Sequence, residues 1–329
     1  VSLASQVYGL ERLANLLFAL NVAAWCVLWV LNVLRVVLHP RRFFGDMVDH
    51  LHGPGFFTMV AGTAVLGSQF AIMAADFRLA LALWAISVVL WLALIYTIFT
   101  AFTVKQSKPT LDRGINGAWL LAVVATQSIA VLSALIAAHG GPAWRFELNF
   151  LALAMWLWGG MLYIWIISLI FYRYTFFALQ PSDLNPPYWI NMGAMAISTL
   201  AGSLLIVNAA EAPLLHSLLP FLKGFTIFYW ATGTWWIPML LALGVWRYVW
   251  QRFPLRYNPL YWGAVFPLGM YCASTNEMAL ALDFALLHRV AQVFLYVAIA
   301  AWAAAFAGLV RQIAGRLLQK EPREAAPAR

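Results

Sequence analysis

Long apolar runs alternate with short polar segments along the 329-residue chain. A helix rises about 1.5 Å per residue, so about 20 apolar residues match the roughly 30 Å hydrocarbon core of a membrane. The pattern predicts nine full membrane spans, at about 13–38, 54–75, 79–104, 117–138, 148–172, 187–209, 220–249, 259–282 and 287–312. Residues 1–8 are apolar but too short to span, and we interpret them as the end of a truncated first helix.

The predicted spans are of two alternating kinds. Spans running in one direction carry small and hydroxyl residues, whereas the returning spans hold 13 of the 17 tryptophans. Small residues favour close helix packing and wet cavities, while large rings are tolerated by lipid. We therefore expect an all-α integral membrane protein with ten helices, the first truncated, arranged as five helical hairpins around a central pore. The predicted pore-lining residues are Phe57, Thr58, Thr63, Thr126, Gly193, Ser198, Thr199, Gly269 and Ser274.

Basic residues in the loops are distributed unequally between the two sides. With alternating spans, 15 of the 20 Lys and Arg residues fall on one side. The positive-inside rule makes that side cytoplasmic, together with the C-terminus. We thus predict a transmembrane domain at 1–315 and a polar cytoplasmic tail at 316–329, in the inner (cytoplasmic) membrane. The other side holds only Arg12, Arg78, Arg145, Lys223 and Arg289.

Composition agrees with this class of protein. The chain is 64% hydrophobic and 10% charged, with a mean hydropathy of +0.81, which excludes an ordinary soluble domain. The net charge of +8 could suggest an anionic partner, but in a membrane protein the position of the basic residues in the loops matters first, so nucleic acid is not implied and the lipid bilayer is the expected partner. Cys26 and Cys272 lie in separate apolar runs, where packing is the expected role.

Residues that could support chemistry are sparse. The six histidines fall in loops or at predicted helix ends, no Cys, His, Asp and Glu cluster has metal-ligand spacing, and no phosphate-binding loop is present. We therefore expect no cofactor and no enzyme activity. Glu277 is the one acidic residue placed within a predicted span. It could couple transport to protons, or pair with Arg289 or Lys223 in an outer vestibule.

Proline recurs near the start of several spans, followed by aromatic residues. The pentad Asn-Pro-x-Tyr-Trp begins at Asn185 and again at Asn258, and a weaker version begins at Gly53. Pro267 lies within the span at 259–282 and must bend it, because proline lacks a backbone donor. We predict kinks at Pro54, Pro187 and Pro267. The ring of Phe266, directly before Pro267, either packs against a neighbour or faces a central path.

These segments resemble the tellurite-resistance/dicarboxylate transporter family, which includes bacterial TehA proteins and slow-type anion channels of plant guard cells. The resemblance spans essentially the whole chain. It implies five hairpins of ten helices around a pore, a homotrimer, and a pore plug at Phe266. The third inner helix departs from the pattern, because it begins without proline. The matching segments are 53–59 with Gly62 and Thr63, 187–193, and 261–268.

We expect transport of small inorganic or organic anions through a pore gated by Phe266. The alternative is a proton-coupled C4-dicarboxylate carrier or an exporter of tellurite-like or sulfite-like oxyanions. A membrane scaffold or enzyme with no path through the membrane is a further class of protein to consider. A continuous polar lumen would count against it. Because the first helix is short, we also expect a lateral gap beside the helix at 54–75.

Overall fold

The computed structural model describes residues 1–139 and 142–318, which form helices without any strand in these two ranges. Ten of the helices make up the architecture, and three further short ones lie in loops at Pro40–Met47, Leu111–Gly114 and Pro213–Ser217. The ten are α1 Ser2–Val7, α2 Glu11–Leu38, α3 Phe57–Met73, α4 Phe77–Val104, α5 Leu121–His139, α6 Pro142–Phe176, α7 Ile190–Asn208, α8 Leu219–Val245, α9 Trp262–Leu282 and α10 Leu286–Leu318.

Each predicted span coincides with one of the long helices α2 to α10. Within the described residues, seven of these helices, all except α8 and α9, are both long and apolar enough to cross a membrane. The protein is thus an all-helical membrane protein. Helix α10 continues to Leu318, and residues 319–329 of the predicted tail lie outside the described residues.

A short 3-10 turn precedes each of α3, α5, α7 and α9. Pro54 and Pro187 lie in two of these turns, so they start helices rather than kink them, whereas Pro267 lies inside α9. Proline is tolerated in a first turn because the N–H it lacks would be unsatisfied there. The turn before α5 has no proline, but the Asn116 side chain accepts a hydrogen bond from the Ala118 N–H at 2.8 Å. The four turns are Gly53–Phe56, Gly117–Leu120, Pro186–Trp189 and Pro259–Tyr261.

The odd-numbered helices contact one another in a closed circuit. Helix α3 packs against α5, α5 against α7, and α7 against α9, while α1 contacts both α9 and α3. Each of α2, α4, α6 and α8 packs against the odd-numbered helices before and after it, and α10 packs against α9. In the most apolar 18-residue stretches, 94% of α5 and 89% of α7 is buried, against 6% of α2 and 17% of α10. The odd helices are therefore the inner set.

Tryptophan side chains of the outer helices bond to the inner helices. Indole nitrogens of α2, α4, α6 and α8 donate to hydroxyl or carbonyl oxygens of the inner helix that follows each in the chain, at 2.8 to 3.1 Å. A polar group within a membrane must find such a partner, because lipid tails offer none. The rings were expected to be tolerated by lipid, but their N–H groups point inward. The pairs are Trp25 with Thr63, Trp84 with Ser133, Trp91 with Thr126, Trp156 with the Ser198 carbonyl, and Trp230 with Thr275.

The pair of Trp91 and Thr126 tests the strength of these bonds, because both side chains are buried and lie 2.8 Å apart. Thr126→Val keeps the shape of the side chain but leaves the indole N–H without an acceptor. We expect it to lower the free energy of unfolding by about 1 kcal/mol. The loss should be clearly smaller in a Trp91→Phe background, measured as a double-mutant cycle by denaturant unfolding in detergent.

Thr232→Val is the control, because the Thr232 hydroxyl is exposed and bonds only to the Phe228 carbonyl of its own helix. It should leave stability nearly unchanged. Equal losses from Thr126→Val in both backgrounds would show that the indole bond contributes nothing.

Candidate functional site

Four residues of α9 form a partly exposed stripe, which we call the α9 stripe: Phe266, Met270, Ala273 and Glu277. All other residues between Val265 and Ala279 are buried. The spacing of four, three and four residues places the four side chains on one face of the helix. This face extends about 16 Å along the axis at about 1.5 Å per residue.

Contacts on either side of the α9 stripe fix its direction. Pro267, about a quarter of a turn from Phe266, packs against Gly193 of α7. Gly269, about a sixth of a turn to the other side, lies against Val1, directly before α1. Thr275 lies about half a turn from Phe266 and accepts a hydrogen bond from Trp230 of α8. The α9 stripe therefore lies between the contacts to α7 and α1 and faces away from α8.

Helix α3 has an equivalent accessible face, which we call the α3 stripe: Thr58, Gly62, Val65 and Ile72. A Cβ atom added to Gly62 would have no neighbour within 4 Å, so open space lies beside it. The Gln69 amide bonds to the Ser2 hydroxyl of α1, next to this stripe. Helices α3 and α9 both contact α1, and each has an accessible face next to that contact.

Of the predicted lining residues, Thr58 lies on an accessible stripe. Thr63 and Thr126 instead face outer helices, where they accept the Trp25 and Trp91 indole bonds. Phe57 is buried, with its ring centroid 6.2 Å from that of Phe99 in α4. Their residue types fitted a lining, but type alone does not give the rotation of a helix.

The remaining predicted lining residues are buried between helices. A Cβ added to Gly193 would lie 2.7 Å from the Pro267 Cγ, and one added to Gly269 would lie 2.9 Å from the Val1 nitrogen, so both glycines permit close helix contact. The hydroxyls of Ser198, Thr199 and Ser274 donate to carbonyls of the preceding turn, those of Ala194, Met195 and Tyr271.

Met270, Ala273 and Gly62 were not predicted as lining residues. The first two follow Phe266 at the helical spacing of four and seven residues, a signal that the sequence contains.

The two stripes carry apolar, small and hydroxyl groups, and Glu277 is their single charged residue. Neither stripe holds a lysine or arginine, so neither offers a fixed positive charge to an anion. Hydroxyls that already donate to their own helix bind a passing ion weakly, which suits permeation more than tight binding. Within residues 1–139 and 142–318, no group of three or more His, Cys, Asp and Glu side chains could hold a metal.

A cavity of about 280 Å³ lies beside the start of α3, at the end of the bundle that carries most loop arginines and lysines. Its wall includes the ion pair between Arg35 and Asp46, together with Thr58 of the α3 stripe. The cavity adjoins the helix beside which the sequence predicted a gap.

Comparison with known proteins identifies the family. Residues 1–310 match the family model SLAC1, described as voltage-dependent anion channel. The chain belongs to the voltage-dependent anion channel family. The resemblance in the sequence is thereby confirmed, and the family is one of channels and transporters, not enzymes. Membership of this family indicates that the protein transports anions across a membrane.

Three relatives from different organisms have names that denote a membrane protein or a transporter. The chain is 37% identical over 156 residues to the uncharacterized membrane protein Rv1735c of Mycobacterium tuberculosis, which covers 47% of this chain and 79% of the relative. It is 26% identical to the uncharacterized transporter MJ0762 of Methanocaldococcus jannaschii, covering 81% and 76%. It is 24% identical to the sulfite efflux pump SSU1 of Arthroderma otae, covering 92% and 83%.

The contact of Gly193 with Pro267 positions the α9 stripe and can be tested. In Gly193→Ala the new Cβ would lie 2.7 Å from Cγ and 2.9 Å from Cβ of Pro267, so α7 and α9 must separate. We expect the free energy of unfolding to fall by roughly 1–3 kcal/mol. Thermal unfolding of the purified protein measures the change.

Gly224→Ala in α8 is the matched control. A Cβ at Gly224 meets no atom within 4 Å, and alanine is a better helix former than glycine by about 0.5–1 kcal/mol. This variant should be as stable as the parent or more stable. Equal destabilisation by both substitutions would contradict the role given to the Gly193 contact.

Proposed function

We propose that this protein conducts small anions through a central pore, enclosed by α1, α3, α5, α7 and α9 and surrounded by the even-numbered helices as five hairpins. The observation that carries this proposal is the α9 stripe. Its four side chains stay accessible while every other residue from Val265 to Ala279 is buried, and they lie between the contacts to two inner neighbours and away from the outer helices. An accessible face in that direction is what a pore-lining helix requires.

Phe266 is the gate in this proposal. Its ring lies at one end of the stripe, is partly exposed, and contacts the main apolar core with its buried side. An aromatic ring offers no donor to replace the water around an anion, so passage requires dehydration without compensation. The ring therefore acts as a barrier both by size and by its lack of hydrogen-bonding groups.

The pore would select anions weakly. Hydroxyls such as that of Thr58, which donates to the Gly55 carbonyl at 2.7 Å, can turn toward an ion at little cost. Such groups discriminate poorly among chloride, nitrate and small carboxylates, because all accept the same kind of hydrogen bond. The substrate class proposed is therefore small inorganic or organic anions rather than one ion.

Orientation and assembly belong to the same proposal. The end rich in arginine and lysine faces the cytoplasm by the positive-inside rule, which places the C-terminus there in the inner membrane. The outer helices expose large apolar side chains, among them Val89 at 65% and Tyr96 at 66% in α4. Such faces suit lipid and contacts between copies in a homotrimer.

Phe266→Ala tests the gate. Removing the ring should raise chloride flux into proteoliposomes on the order of a hundredfold, since each 1.4 kcal/mol removed from a barrier is about tenfold in rate. Stability should change little, because a ring beside an open path supports less packing than a buried one. Flux and thermal unfolding are measured on the same preparations.

Phe294→Ala is the matched control on the outer helix α10. The Phe294 ring centroid lies 4.5 Å from that of Tyr271, on another face of α9. This variant should lose stability and gain no flux. An unchanged flux in Phe266→Ala, accompanied by a stability loss like that of Phe294→Ala, would show that Phe266 only packs.

Glu277 favours a second candidate, a proton-coupled exporter of oxyanions. Its side chain lies on the α9 stripe with Phe266, and a relative with 24% identity is named a sulfite efflux pump. A carboxylate beside a transport path can exchange protons with the solvent while an anion passes. The channel and the carrier differ in whether flux depends on that exchange.

Glu277→Gln separates the two candidates. For the channel, we expect sulfite flux in proteoliposomes to keep its pH dependence and stay within about threefold of the parent, because only a local charge is removed. Asp283→Asn, at an exposed position just after α9, is the control. If Glu277→Gln alone abolished flux driven by a proton gradient, the carrier would replace the channel.

A further inference from the structure

A small cavity between α7, α8 and α9 contains a buried arginine. Arg247 lies in the π-helical turn Trp246–Trp250 that follows α8, and only 8% of the residue is exposed. It lines a cavity of about 90 Å³ together with Asn185, Tyr248 and Tyr261, which precede α7, follow α8 and precede α9, respectively. We call this cavity the Arg247 pocket. It is set apart from the α9 stripe.

The guanidinium group of Arg247 has no acidic partner. Among residues 1–139 and 142–318, no carboxylate forms an ion pair with it, and its Nε atom is buried without a hydrogen-bond partner. Its Cζ atom lies 5.1 Å from the Tyr248 ring centroid and 4.3 Å from that of Phe253. Aromatic rings stabilise a guanidinium in part but do not replace a counter-ion.

Arg173 is a second buried arginine, and unlike Arg247 it has partners within the described chain. It is 5% exposed, lies 3.3 Å from the Asp183 carboxylate and donates from Nε to the Asp112 carbonyl at 2.9 Å. Burying a charge without such partners is unfavourable. The contrast indicates that the partner of Arg247 comes from outside the described chain.

Other polar groups of the Arg247 pocket are also available. The Tyr248 and Tyr261 hydroxyls bond to each other at 2.9 Å, so one of the two protons is left to donate elsewhere. The Asn185 side-chain oxygen is buried without a partner, and rotation of that amide would present its N–H group instead. Arginine, a tyrosine hydroxyl and an amide together make a set of donors.

We propose that the Arg247 pocket binds one phosphate-sized oxyanion group. A guanidinium presents parallel N–H donors that match two oxygens of a phosphate or carboxylate. The cavity of about 90 Å³ leaves room for one such group beside the guanidinium. The group is either the headgroup phosphate of an anionic lipid or a free inorganic oxyanion.

A bound oxyanion would join three segments of the chain. Asn185 precedes α7, Arg247 follows α8, and Tyr261 precedes α9 by one residue. Because the ligand binds the folded protein only, its binding must raise thermal stability as its concentration increases. Stability is therefore a readout that does not depend on transport.

The test is thermal unfolding of the delipidated protein with inorganic phosphate, against sodium chloride at equal ionic strength. A parallel series adds phosphatidylglycerol or phosphatidylcholine to the micelles. We expect a saturable rise in the melting temperature of several degrees with phosphate or with phosphatidylglycerol. Arg247→Gln should abolish the rise, while Arg256→Gln, an exposed arginine nine residues later, should keep it.

The two series identify the source of the ligand. A rise with phosphate indicates a free oxyanion, and a rise with phosphatidylglycerol alone indicates a lipid headgroup. If Arg247→Gln yields no folded protein, Arg247→Lys is used instead, because it keeps the charge but loses the paired donors. It should raise the half-saturating ligand concentration about tenfold. No rise in the parent, or an equal rise in the Arg247 and Arg256 variants, would overturn the proposal.

Discussion

The hydrogen bonds from outer-helix tryptophans to inner-helix oxygens determine how the rest of the structure is arranged. Within a bilayer an indole N–H has few alternatives to a protein acceptor. By bonding to Thr63, Thr126, Ser198 and Thr275, the outer helices fix how α3, α5, α7 and α9 are rotated about their axes. The opposite faces of α3 and α9 are left accessible. The direction of any lining residue is therefore a consequence of bonds made on the other side of its helix.

Close contacts between glycine and proline then fix the spacing of the inner helices. Gly193 accommodates the Pro267 ring, and a Cβ at Gly117 would lie 2.4 Å from the Pro187 carbonyl oxygen. Without a strong hydrophobic driving force between helices in lipid, such approaches let van der Waals contact hold the bundle together. Of the prolines predicted as kinks, Pro187 and Pro267 thus contribute contact surfaces, and Pro267 is the one that also lies inside a helix.

The number, position and alternation of the helices were predictable, because run length and residue type change sharply from span to span. The 3-10 turns and the faces of the helices were not. Helices α5 and α7 are buried nearly all round, so their sequences contain no amphipathic signal that gives a rotation. Thr63 and Thr126 were chosen for their hydroxyls, and those hydroxyls serve the tryptophans instead. A regular signal was present: each tryptophan precedes its acceptor by 35 to 49 residues.

The packing of Pro267 against Gly193 also limits which motions can open the proposed gate, and therefore how long opening takes. The backbone beside Phe266 is held by a contact without free space, so the helix cannot swing there without separating α7 from α9. With Phe266 as the gate we propose, the remaining freedom is rotation of one side chain about its χ angles. Rotamer changes of accessible side chains take picoseconds to nanoseconds, whereas collective helix movements take microseconds to milliseconds. The pore would then open and close by brief rotations of the Phe266 ring between helices that stay in place. Its open state would differ from its closed state by little more than one rotamer.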